Sequence, residues 1–153
     1  MTIEILNESY GRVPKKFLTS LAPKLMKSIN AQIKREGGEA VKWTGRSLAV
    51  LFVDSPKMIS LNRQHRGKKK VTDVLSFESF VPQHLGDLVL CYPLVATQAH
   101  QNKHSIRDEM VYLILHGILH LLGYEHEKGG EDERKMFAIQ DAVFAKYLDG
   151  AFK

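Results

Sequence analysis

At 153 residues and 44% hydrophobic content, the chain has the apolar mass for one ordinary core, and no repeat, low-complexity tract or linker divides it. A membrane protein or a disulfide-stapled secreted scaffold is not expected. The longest apolar stretch, Met110 to Leu122, is broken by His116 and His120; Met1 to Tyr10 lacks a signal-like apolar run; and Cys91 is the lone cysteine, so a cytoplasmic protein follows. The balance of 22 Lys and Arg against 17 Asp and Glu, a formal +5, suits a polyanionic partner, nucleic acid first.

In chain order, Thr2 to Leu6 alternates with Ile3 and Ile5 on one face, which predicts a short half-buried strand. From Pro14 to about Arg35, Phe17, Leu18, Leu21, Leu25, Met26, Ile29 and Ile33 recur at helical spacing, with Pro23 set to kink or restart the helix. Gly37 and Gly38 close it. Ser47 to Asp54 reads as a buried strand, and Ser55 and Pro56 as the cap and first turn of a helix running to about His65. Asp73 to Glu78 and Gly86 to Tyr92 are two further strands, separated by Pro82. Pro93 to about Lys103 is helical, and Ser105 with Asp108 forms the N-cap pattern of a helix that is apolar nearly all round, hence central. A last amphipathic helix from about Glu131 to Leu148 packs through Met136, Ile139, Val143, Phe144 and Tyr147. The expected fold is α+β: a single domain with a small, mostly central sheet of about four strands, surrounded by helices.

Residues 116 to 126 read His-Gly-Ile-Leu-His-Leu-Leu-Gly-Tyr-Glu-His. Helix positions four apart lie on one face, so His116 and His120 can reach one ion together, and Gly123 can end the helix and swing His126 back toward it. Three neutral nitrogens leave a fourth position on zinc for water or substrate, as catalytic sites do. The helix is thus zincin-like, yet the residue after the first histidine is Gly117 where a zinc peptidase carries its glutamate base, which argues against peptide hydrolysis. Arg63, Arg66, Lys68, Lys69 and Lys70 crowd into eight positions beside Gly67, in what reads as a loop suited to nucleic-acid phosphates. Cys91 reads as core packing. His65, His84, His100 and His104 default to surface or loop positions, His65 being of interest because it adjoins Arg66.

Three ordered stretches, Leu61 to Phe77, Leu85 to Cys91 and His116 to His126, together resemble the YbeY family of bacterial rRNA maturation endoribonucleases, over about residues 48 to 140. The resemblance implies a zinc-dependent, single-strand-specific endoribonuclease acting at the 3′ end of small-subunit (16S) rRNA and in ribosome quality control. It implies one zinc ion per chain on His116, His120 and His126, a functional arginine at Arg66, and the ribosome, small-subunit ribosomal proteins and an assembly GTPase as partners. The chain departs from the family pattern at His65 (a tyrosine there), at Lys69 and Val71 (aspartate and proline), at Glu78-Ser79 (Pro-Phe) and at Glu125 (aspartate). None of these is a metal ligand.

In the reaction so implied, the metal activates a water or polarises a phosphoryl oxygen, Arg66 grips the phosphate, and Lys68, Lys69 and Lys70 hold flanking phosphates. The general base stays open among the metal's own water, Glu125 and His65, and so does attack by water or by the RNA's 2′-hydroxyl. Two other readings stand beside this one: a non-catalytic ribosome-assembly factor with structural zinc, and a metal-dependent hydrolase of small phosphoesters or amides.

Overall fold

The computed structural model describes residues 1–66, 73–126 and 129–153, with the side chain of Arg66 outside that set. Four strands, β1 (Thr2–Asn7), β2 (Ser47–Val53), β3 (Val74–Glu78) and β4 (His84–Cys91), form one sheet in the order β1-β2-β4-β3. β1 and β4 both run parallel to β2, while β3 runs antiparallel to β4 and forms an edge. Among the described residues six helices surround the sheet: α1 (Lys15–Ser20), α2 (Ala22–Arg35), α3 (Ser55–Arg66), α4 (Tyr92–Gln101), α5 (Ile106–Leu121) and α6 (Gly130–Leu148). The α+β expectation is met.

Strand periodicity divides the core in two, because successive side chains on a strand point to opposite faces. Leu48, Val50 and Phe52 of β2 and Leu88 and Leu90 of β4 face the larger cluster, which α1, α2, α5 and α6 close. Val53, Val89, Cys91 and Leu75 face the smaller one, closed by Met58 of α3. From Leu88 to Cys91 β4 is buried on both faces, so this stretch reads as a continuous apolar run instead of alternating. Cys91 is fully buried core, as its surroundings predicted.

Several boundaries move by a residue or two for identifiable reasons. The first helical region breaks in two, with Pro23 in the first turn of α2, where its missing N–H costs nothing. β4 begins at His84, not Gly86, because Ser47 of β2 pairs with His84, and it ends at Cys91 because Tyr92 and Pro93 open α4. Ser55 is the first residue of α3 and not its cap; the Asp54 carbonyl accepts from Met58 N–H, and its carboxylate accepts from Tyr10 N–H at 3.0 Å. His84 and His104 are half-buried and partnered, His84 with Ser47 and Asp87 and His104 with the buried Glu109.

α5 is the axis of the molecule. Ser105 Oγ accepts from Asp108 N–H at 3.0 Å, Asp108 and Glu109 sit in the positively polarised first turn, and the run from Glu109 to Leu115 is buried apart from half-exposed Tyr112. It packs against β4 so closely that a Cβ on Gly117 would lie 2.6 Å from Leu88 Cδ2. Gly86 on β4 serves the same packing, since a side chain there would meet the Phe77 carbonyl oxygen at 2.4 Å and Leu121 beyond it.

Candidate metal centre and cleft

The C-terminal turn of α5 makes the site. His116 and His120 stand four residues apart on one face, with their Nε2 atoms 3.1 Å from each other. After Leu122, Gly123 takes φ 99, its N–H returns to the His120 carbonyl at 2.9 Å and that of Tyr124 to the Leu119 carbonyl at 3.0 Å. This paired closure, with glycine in the left-handed position, reverses the chain within one turn. His126 therefore comes back onto the helix face, its ring centroid 5.0 Å from that of His116 and 4.8 Å from that of His120. One ring nitrogen from each of the three lies within 4.8 Å of the others.

The donor set fits a cation. Tetrahedral zinc with nitrogen ligands at 2.0–2.1 Å places them about 3.3 Å apart, close to the His116–His120 spacing. On the far side of the first ring, His116 Nδ1–H donates to Gln140 Oε1 of α6 at 2.9 Å, which leaves Nε2 with its lone pair toward the other two imidazoles. His126 Nδ1 is buried with no protein partner among the described residues, an expense that coordination would relieve. Burial pushes the His116 and His120 imidazoles below their usual value, and the other histidines of the group add to the effect. Both are neutral at pH 7, the form in which an imidazole can bind a metal.

The three histidines line a cleft of about 830 Å³ between α5 and the edge strand β3. Its β3 wall carries Asp73, Phe77 and Glu78, and its other wall carries Tyr112, Tyr124 and Phe137. His65, at the end of α3, sets its ring edge-on to Phe77 with centroids 4.5 Å apart, so this residue is a cleft residue and not a generic surface one. Burial raises the phenols of Tyr112 and Tyr124, which stay protonated. Gly117 faces the sheet and not the cleft, so a glutamate at that position has no room beside Leu88.

The basic cluster is only partly in view. Arg63 is exposed on α3 and is not among the described residues lining the cleft. Arg66 ends α3 with its side chain outside the described set, and Lys68, Lys69 and Lys70 fall outside it altogether. Glu125 is exposed at the cleft, its N–H donating to Asp132 at 2.6 Å. Sequence reasoning passed over Gln140, the fully buried partner of His116. Its signal was an amide inside the apolar stripe of α6, between Met136 and Ile139 on one side and Val143 and Phe144 on the other. No helix among the described residues is long and apolar enough to cross a membrane.

A family model described as "Endoribonuclease YbeY" matches residues 4–148. The chain is 38% identical over 148 residues to a protein of Bdellovibrio bacteriovorus named Endoribonuclease YbeY, covering 97% of this chain and 96% of that protein. It is 33% identical over 150 residues to a protein of the same name from Sulfurihydrogenibium sp., covering 94% and 91%. A solution structure from Thermotoga maritima superposes with a TM-score of 0.54 at 25% identity, covering 98% of this chain and 94% of that one.

Proposed function

The chain belongs to the YbeY family of endoribonucleases, and on that premise we propose that it is a zinc-dependent enzyme that cuts single-stranded RNA, acting at the 3′ end of small-subunit 16S rRNA and in ribosome quality control. The observation that carries this reading is the three-histidine cluster open to a cleft, not sealed inside the fold. Small-subunit ribosomal proteins are the partners that a role on the ribosome calls for.

His116, His120 and His126 hold the ion, and zinc suits three imidazoles better than a hard cation does. Bound there, zinc supplies Lewis acidity to a phosphoryl oxygen or to the attacking oxygen. Gln140 keeps the proton of His116 on Nδ1 and so keeps Nε2 available. Arg66 provides a forked guanidinium for the non-bridging oxygens on which charge develops, with Arg63, Lys68, Lys69 and Lys70 on flanking phosphates. The aromatic walls, His65 with Phe77 on one side and Tyr124 with Phe137 on the other, offer faces on which unpaired bases stack, which a paired strand cannot use.

The test is cleavage of a single-stranded RNA spanning the small-subunit rRNA 3′ region by wild type, Arg66→Ala and His120→Ala, with zinc content measured in each. Both variants are expected to lose at least about a hundredfold in rate, the size typical of removing one transition-state contact, with zinc retained in Arg66→Ala and lost from His120→Ala. Undiminished cleavage by both would mean that a contaminating nuclease cuts the RNA, and would move the reading to a non-catalytic assembly factor.

A further inference from the structure

The net positive charge of this chain is confined to two segments. Residues 9–35 hold seven Lys and Arg and no Asp or Glu, and residues 55–72 hold six and none, so all 17 acidic residues lie elsewhere, against nine basic ones. The second segment contains Arg66 and the lysines already assigned to RNA. The first has no place in the site: no described cleft-lining residue comes from α1 or α2, and α1 packs on β1, the sheet edge opposite β3.

The structure turns this first segment into a surface. At 3.6 residues per turn, Lys24, Lys27, Lys34 and Arg35 of α2 fall within an arc of about 100°, over roughly 16 Å of helix axis. All four are exposed, as are Arg12, Lys15 and Lys16 before them, and α2 buries its opposite face through Leu25, Met26, Ile29 and Ile33. None of these seven cations is in a salt bridge among the described residues; Lys24 alone has a polar partner, the Phe152 carbonyl at 2.6 Å. Arg107 extends the patch, its guanidinium 4.5 Å from the centre of the Phe17 ring on α1.

We infer that the α1–α2 face is a second RNA-docking surface, which holds the phosphate backbone of a substrate at a distance from the bond being cut. The inference rests on the endoribonuclease reading. It also answers a deficit in the cleft, whose described walls bring Asp73, Glu78 and Glu125 and no lysine or arginine, a poor lining for a polyanion. A row of unpaired cations with no anion among them binds phosphates without reading sequence, and so adds affinity in proportion to the length of RNA that reaches it.

The test compares wild type with the triple variant Lys27→Gln, Lys34→Gln, Arg35→Gln, which spares Lys24 and its contact. Binding and cleavage are measured on a short single-stranded oligonucleotide and on the same sequence joined to a long RNA stem, with thermal melting to check the fold. The variant is expected to cleave the short oligonucleotide at the wild-type rate, to bind the long RNA about tenfold or more weakly, and to show a log–log salt dependence shallower by about 2. Unchanged affinity for the long RNA overturns the inference, as does equal loss on both substrates, which would place the face in the cleft's own binding. Anionic vesicles captured by wild type and not by the variant, with RNA binding equal, would reassign the face to a lipid surface. Failure of wild type to cut either RNA would instead count against the endoribonuclease reading.

Discussion

A neutral imidazole offers a metal the lone pair of one nitrogen while the other keeps its proton, and at His116 the acceptor that fixes which nitrogen is which is the side chain of Gln140. Gln140 is fully buried, and its Oε1 accepts from Nδ1 at 2.9 Å, fixing both the tautomer and the ring plane. Gln140→Leu keeps the volume and removes the acceptor, leaving a buried N–H without a partner. Zinc affinity, measured by competition with a chelator, is expected to fall about 10- to 100-fold, the range for lost outer-shell partners of a ligating histidine. Gln140→Glu keeps an acceptor in place and is expected to bind zinc at least as tightly as wild type. If Gln140→Leu binds zinc like wild type, the glutamine only fills space.

Two glycines of the α5 segment do different jobs, and this difference decides what replacing them does. Gly117 is a matter of room: a methyl group there meets Leu88, itself fully buried between β2 and β3. Alanine in a helix gains up to about 1 kcal/mol over glycine, while overpacking a core costs about 1–3 kcal/mol. Gly117→Ala is expected to lower the melting temperature by up to roughly 8 °C on a net loss of up to about 2 kcal/mol, and a rise in melting temperature would show that α5 can move off the sheet. Gly123 is a matter of conformation, with φ 99 and open space around it, so alanine there strains the turn that returns His126. The same contrast marks what could be read in advance. The histidine triad, its helix cap and its closing glycine sit within about twenty residues, so their geometry follows from local periodicity. The four strands were visible too, but their order and the antiparallel β3 were not, because no local pattern in Val74–Glu78 records that it pairs with β4 beside the cleft. Gln140 and Phe77 belong to the site only through the packing of α6 and β3 on α5, which no spacing along the chain encodes.

At the scale of the whole molecule, the histidine cluster joins the end of α5 to the turn behind it and, through Gln140, to α6, so an ion held there would act as a clasp as well as a reagent. A ligand that binds only the folded state at a hundred times its dissociation constant adds about 2.7 kcal/mol of stability, or roughly 5–11 °C in a chain of this size. That increment depends on pH with a definite sign. His116 and His120 have folded values below their ordinary 6.5, so the unfolded chain takes up protons first as pH falls. In the metal-free protein the contribution of these two histidines to stability is complete above about pH 6.5 and is lost as pH falls through the interval between the unfolded and folded values. Ligation needs the same imidazoles neutral, so protons also compete with the metal directly. Melting curves with zinc and with chelator are therefore expected to lie furthest apart at pH 7.5 and to converge toward pH 5, with both midpoints falling. A gap that stays constant across this range would mean that these histidines do not hold the ion, and the site would have to be sought among other donors.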